Sequence, residues 1–385
     1  MAAKSLLVEF LLKKNSFMPN KLKPTCILLL VIIAHAFAQP KPKISFFNEM
    51  KSGPLIELFR DSTIVEDLQF LNAEIRMGIM DISTERAEII RMLTKKGIPV
   101  VAWLLLPEEK GYWFHAGNGS QAIARYNEVK RWADSHGIQL SGIGIDLELD
   151  YNDINTARNN PWSLLLQLPP RLFDNTEIED GRKKYAELIS MIEADGYMIE
   201  SYYASFVKDE TAAGNTSLQQ LTKFLDIKTD REIPMLYSSF IGNADGLLEV
   251  YGREAGVKTV ALGSTGGGID TTLNTLTWEE LAHAMNMSSR FADEIHIFSL
   301  EGAVEKGYLK NMKNFQFNDQ VIPDTQQIEA VRNIRRFFTA FSNVLSYPTV
   351  LFTGLILLLS AITFLITKFF TVIGAALLLI LTRKK

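Results

Sequence analysis

Between Ile44 and Leu300 the sequence alternates eight times between short apolar runs and longer mixed segments of helical period. The strand-like runs are Ile44–Phe47, Glu74–Met80, Pro99–Leu106, Ser141–Leu149, Tyr197–Ala204, Ile233–Phe240, Thr259–Gly263 and Glu294–Leu300. Helical patterns at Thr84–Lys96, Gln121–His136, Gly181–Ala194, Ser217–Leu225, Asn243–Ala255 and Thr277–Ser288 separate most of them. The runs are nearly continuous in apolar residues, as parallel strands covered on both faces are. Eight such units over about 260 residues predict an α/β fold, a (β/α)8 barrel. An open doubly wound sheet is the alternative, but no Gly-x-Gly-x-x-Gly turn follows the first strand. With 47% hydrophobic and 22% charged residues the chain can bury one large core, and a net charge of -4 gives no reason to expect a nucleic-acid partner.

The fourth run, Ser141-Gly-Ile-Gly-Ile-Asp-Leu-Glu-Leu-Asp150, splits on the two-residue period of a strand. Ile143, Ile145, Leu147 and Leu149 share one face, and Gly142, Gly144, Asp146, Glu148 and Asp150 share the other. Like charges spaced about 7 Å apart repel, and burying them unpaired is costly. Three carboxylates gathered at one strand end therefore mark an active-site strand, since barrels carry their chemistry at the C-terminal ends of strands. The other strand ends supply Asn48, Glu49, Asp81, Tyr202, Tyr203, Tyr237, Ser238, Ser264 and Glu301. The long connection Asp150–Asp180, with Pro161, Trp162, Pro169 and Pro170, is a candidate lid or substrate wall.

No His or Cys cluster has metal-ligand spacing, which argues against zinc; no metal and no cofactor is expected, with calcium or magnesium on the carboxylates as the alternative, and no Ser–His–acid set stands out. Carboxylates with exposed aromatics suit glycosidic cleavage, in which one acid protonates the leaving oxygen and a second group stabilises the oxocarbenium-like centre. Glu301, at the end of the eighth run, is a candidate second carboxylate. Asp150, Trp113, Tyr112, Tyr203 and Glu49 are expected to bind substrate, while Trp103 reads as core.

Two residue patterns resemble those of the chitinase-like glycoside hydrolases of family 18. Ser141-Gly-Ile-Gly-Ile-Asp-Leu-Glu148 is similar to their strand-four signature Asp-Gly-x-Asp-x-Asp-x-Glu, and Met235-Leu-Tyr237-Ser238 to their Met-x-Tyr-Asp. The resemblance implies that Glu148 is the general acid, its pKa raised by Asp146 and partial burial, that Asp146 orients a substrate N-acetyl group acting as internal nucleophile or shares a proton with Glu148, and that Tyr237 holds the reacting group by a hydrogen bond. Ser141, Gly144 and Ser238 depart from the signature Asp positions, and no Ser-x-Gly-Gly lies near Val101–Pro107. A non-catalytic carbohydrate-binding barrel is one alternative. A phosphodiesterase-type barrel, using Gly263-Ser-Thr-Gly-Gly-Gly268 on a lipid or sugar phosphodiester, is another.

Both ends carry membrane-handling patterns. Lys21 to Gln39 has a basic region, a short apolar core and an Ala-x-Ala site ending at Ala38, the pattern of a secretory signal peptide over residues 1–38. Met18 would give it a more typical start. Cys26, the only cysteine, would leave with it. The barrel domain is then 39–319, followed by a juxtamembrane helical stalk at 320–347 and a transmembrane segment at 348–382 of one or two spans. Val350–Thr367 holds about eighteen uncharged, mostly apolar residues. The expected partners are a carbohydrate or glycoconjugate substrate and a membrane, with the barrel on the lumenal or extracellular side. Sequons at Asn118, Asn215 and Asn286 accord with that route.

Overall fold

Each apolar run forms a strand in the computed structural model, which describes residues 41–268, 274–318 and 320–382. The strands are β1 (Lys43–Asn48), β2 (Ile75–Ile79), β3 (Val100–Leu104), β4 (Gly142–Leu147), β5 (Ile199–Tyr203), β6 (Arg231–Pro234), β7 (Thr259–Gly263) and β8 (Glu294–Phe298). All pairs are parallel, in the order β6-β5-β4-β3-β2-β1-β8-β7. Leu236 N–H donates to Ala261 O at 2.9 Å just beyond β6, and the bridge Met235–Ala261 closes the ring. The fold is a (β/α)8 barrel.

Helices α1 (Ser52–Arg60), α2 (Ser62–Phe70), α3 (Thr84–Lys95), α4 (Gly119–His136), α5 (Tyr151–Asn159), α6 (Pro161–Arg171) and α7 (Thr176–Ala194) serve the first half. The second half has α8 (Phe206–Ala212), α9 (Ser217–Thr222), α10 (Ser238–Ile241), α11 (Ala244–Leu247), α12 (Trp278–Ser288), α13 (Leu300–Glu305) and α14 (Tyr308–Lys313). The run expected as a strand to Phe240 ends early. Pro234 has no N–H for the ladder, the next residue turns to β7, and α10 begins at Ser238.

Alternation along the strands separates two cores. Outward residues such as Phe46, Ile75, Ala102, Ile143 and Ile145 join the large core under the helices. Inward residues Phe47, Trp103, Tyr202, Ile233 and Ala261 fill the barrel itself. Below them lies an ionic floor. Arg76 on β2 reaches across to Glu200 on β5 through two bonds of 3.0 and 2.7 Å, and Arg231 joins Glu200 at 2.9 Å and Glu294 at 3.1 Å. Tyr202 then donates to Glu200 at 3.1 Å, so the aromatic layer rests on the ionic one.

That layer explains one departure from the strand-four signature. A Cβ on Gly144 would stand 2.8 Å from Tyr202 Cζ, closer still to its hydroxyl. The volume an Asp would need is occupied by Tyr202.

The stretch expected as a stalk contains α15 (Thr325–Leu345), which lies on the barrel wall instead of standing clear of it. Ile328 and Val331 are buried, Arg335 donates to Asp209 at 2.6 Å, and Ser342 donates to Glu210 at 2.9 Å. Gly246 lets the backbone of Gln327 approach closely. Beyond it, α16 (Pro348–Thr382) is one continuous helix. Among the described residues it alone is long and apolar enough to cross a membrane, over Pro348–Ile373.

The expected signal peptide, with Met18 and Cys26, lies outside the described residues. Asn118 is buried, with its amide donating to Trp113 O at 2.8 Å and its carbonyl accepting from Tyr185 at 3.0 Å, so this sequon cannot carry a glycan in the folded chain.

Filling the Gly144 position tests the packing of the interior. Gly144→Ala should cost about 1–3 kcal/mol in urea unfolding, because Tyr202 is held by Glu200 and cannot swing away. An unchanged midpoint would mean that the layer has slack.

Candidate active site

The C-terminal mouth of the barrel holds a cavity of about 280 Å³. Its carboxylates are Glu49 after β1 and Asp146 and Glu148 at the end of β4. Its walls are aromatic, with Phe47, Trp103, Trp113, Tyr151, Tyr202 and Tyr237 among them. Phe298 of β8 adds another face, with its ring centroid 5.7 Å from that of Tyr237.

Strand pleating sets the Asp146 position. Gly142, Gly144 and Asp146 point inward, and Asp146 sits beside Tyr202 in the β4–β5 register. Asp146 is 3% exposed and its Oδ1 has no hydrogen-bond partner. Burial first, then the charges of Glu148 and Glu49, push its carboxyl well above the usual range. Glu148 lies one pleat further out and is partly exposed. Burial raises its pKa to about 7. Both acids are thus biased toward holding a proton near neutrality.

The loop after β3 completes the mouth. Phe114 N–H donates to Asp146 O at 3.0 Å, and Glu148 N–H donates to Phe114 O at 3.1 Å, so the loop runs as an extra rung along β4. This draws Tyr112 inward at φ +51°, a conformation uncommon for a bulky side chain. Its hydroxyl donates to Glu49. Trp113 meets the rings of Tyr112 and Tyr151 at 5.2 and 5.6 Å. Opposite, Gly267 and Gly268 form a tight wall. A Cβ on Gly267 would stand 2.7 Å from Glu301 Oε1, and one on Gly268 would stand 2.7 Å from Glu49 Oε2.

Of the residues expected from sequence, the mouth brings together Glu148, Asp146, Tyr237, Trp113, Tyr112 and Glu49. Three others lie elsewhere. Glu301 is behind the glycine wall, where it accepts from Asn48 at 2.8 Å and from the Glu49 backbone at 3.0 Å; it braces the end of β1. Asp150 caps α5 and pairs with Lys223 at 2.9 Å, on a separate charged groove with His115 and Glu177. Tyr203 faces outward under Lys208, because its neighbour Tyr202 takes the inward position. Asp81 is held by Arg86 and Ser52. Tyr202 and Ser264, read as strand-end residues but given no role, line the cavity, as do Phe298 and Arg158, which were not expected there, and Trp103 is both core and cavity floor. The inward phase of β5, one residue before Tyr203, is the signal that points to Tyr202.

The glycine loop after β7 is not an open anion cradle at its start. The N–H groups of Ser264, Thr265 and Gly266 donate to Ser239 Oγ, Phe298 O and Ser264 Oγ at 2.6, 2.7 and 3.0 Å. Among the described residues no group of three or more His, Cys, Asp or Glu side chains is arranged to hold a metal ion.

No family model matches this chain, and no curated protein matches it in sequence. Some solved structures are similar to it at low identity. A family 18 chitinase from Pseudoalteromonas aurantia is 12% identical, over 71% of this chain and 99% of that one, with a TM-score of 0.44. An active-site mutant of Rhizomucor miehei beta-1,3-glucanosyltransferase, in complex with laminaritriose, is 11% identical over 66% of this chain and 86% of that one, with a TM-score of 0.35. A D-tagatose 3-epimerase-like protein is 10% identical over 71% and 97%, with a TM-score of 0.40. Both the barrel and the residues of its mouth are read from this chain alone.

The raised acid can be checked without a substrate. Between about pH 4.5 and about 7 folded Glu148 keeps a proton that the unfolded chain releases. Its contribution to stability is therefore full below that window and is lost as pH rises through it. Glu148→Gln should melt above the wild type at pH 8, with the gap closing toward pH 5. A gap independent of pH would place the Glu148 pKa at its ordinary value.

Proposed function

We propose that the chain is a glycoside hydrolase with Glu148 as general acid. One observation carries the reading. A carboxyl whose proton is held to about neutral pH stands at the mouth of an aromatic-walled cavity, beside a second buried carboxyl with an unpartnered oxygen. Flat rings supply apolar platforms for sugar faces. Glu148 gives its proton to the glycosidic oxygen as the bond to the anomeric carbon breaks, and water completes the hydrolysis by adding its oxygen to that carbon while its proton passes to a carboxylate of the mouth. Asp146 orients a group on the substrate, its unpartnered Oδ1 accepting a donor such as an amide N–H. Tyr237 donates to the reacting group. With Glu301 turned away, Glu49 is the remaining carboxylate of the mouth, and Tyr112 fixes its orientation.

A purely binding barrel would have no use for an acid desolvated in this way. Phosphodiester chemistry is disfavoured by the three loop amides already taken within the protein. The chain is further proposed to be membrane-anchored through α16, with the barrel on the lumenal or extracellular side after passage through the secretory pathway.

The test is hydrolysis of a panel of aryl glycosides, including N-acetylglucosaminides. Wild type should turn over at least one of them, with activity falling above about pH 7 as Glu148 loses its proton. Glu148→Gln should lower kcat by about 100-fold or more, within the usual contribution of a general acid. Glu49→Gln should be severely impaired and Glu301→Gln much less so. Equal loss in the last two would return Glu301 to the chemistry, and an unaffected Glu148→Gln would end the assignment.

A further inference from the structure

One wall of the cavity belongs to the α5–α6 hairpin, through Tyr151, Ile154 and Arg158. Arg171 ties α6 to α5 by donating to both oxygens of Asp153 at 2.6 and 3.0 Å, and ties the hairpin to α9 by donating to Leu221 O at 2.8 Å. Its other face is unusual for a wall of a water-filled mouth. Trp162 and Leu166 on α6, and Phe173 just past it, are 75%, 78% and 58% exposed. A spacing of four puts Trp162 and Leu166 on one side of α6, and Phe173, past the helix end, extends the apolar surface toward α16.

The stripe ends on α16. The rings of Phe173 and Phe352 are 5.5 Å apart, and Leu351 and Phe352 pack on a small buried cluster of Leu172, Leu218 and Leu345. Helix α16 has a mean hydropathy of 2.5 over its most apolar stretch, none of it buried. At 1.5 Å per residue, Pro348 to Lys368 is about 30 Å, the thickness of a hydrocarbon core. Tyr347, 67% exposed, and Trp162 are side chains favoured at the membrane–water boundary. An apolar stripe continuous with an apolar helix of this length is covered most simply by the same bilayer.

We propose that α6 lies in the membrane interface beside the start of α16, so that the cavity takes the sugar head group of a membrane-borne glycoconjugate. The substrate class rests on the glycosidase reading above; the membrane contact does not. Binding from the membrane would present the head group to the α5–α6 wall, while the apolar tail stays in the bilayer along Trp162 and Leu166.

The full chain with Cys26→Ser has no other thiol, so Leu166→Cys accepts one nitroxide label. In phosphatidylcholine vesicles its relaxation should be enhanced by oxygen and little by a soluble nickel chelate. It should resemble a label at Leu358→Cys on α16 and differ from one at Glu88→Cys on the exposed side of α3. A Leu166 label that behaves like the Glu88 label overturns the proposal. So does dipolar broadening, which would show that a second copy covers the stripe. On activity, Trp162→Ser with Leu166→Ser should lose tenfold or more in kcat/KM on a long-chain alkyl glycoside embedded in the vesicles, and keep the rate on the soluble aryl glycoside. Equal rates on both would remove the substrate class. Wild type that cleaves neither would fail the glycosidase reading, while the label would still decide the membrane contact.

Discussion

The ion pair between Arg76 and Glu200 is the constraint on which the interior depends. Both groups are fully buried, on strands that face each other across the barrel. Two charges in such a place are tolerable only when each satisfies the other, and removing one partner of a buried pair is strongly destabilising. Arg231, Glu294 and Glu74 extend the pair into a floor. Tyr202 stands on Glu200, fills the space above Gly144, and lies in register beside Asp146. The position of the buried Asp is therefore inherited from a salt bridge two pleats below it.

The buried acids at the two ends of the barrel have different surroundings. On the floor Glu200 and Glu294 have the guanidinium groups of Arg76 and Arg231 beside them. At the mouth burial raises Asp146 and Glu148 with no cation to oppose it, which favours their protonated forms. The same strand spacing that places Ile143 and Ile145 under the helices delivers both acids to the cavity. Fold and chemistry share one periodicity.

Much of this was legible in the sequence. Period alone places the eight strands, because strands covered on both faces need unbroken apolar runs. It also selects Asp146 and Glu148. It fails at Asp150, where the strand has already ended at Leu147 and the side chain caps a helix. It fails at Glu301, whose nearness to the strand end is real but whose side chain is turned to Asn48 and the Glu49 backbone. Which way a residue past a strand end faces depends on the loop packed over it, and that partner is distant in sequence. Tyr112 shows the same limit. Its entry into the mouth requires a left-handed backbone angle set by a rung on β4, which no local pattern announces.

The glycine wall divides the mouth into parts of unequal freedom. At Gly267 and Gly268 even a methyl group would meet a carboxylate that another residue needs, and the backbone there has positive φ. Ile154 and Phe240 line the same cavity from partly exposed helices, where the backbone angle sets no comparable restriction. Divergence in ligand preference among descendants of this chain, or in a laboratory library, would accumulate on the α5–α6 and α10 side. The glycine side would remain an unvarying template against which every accepted ligand is measured.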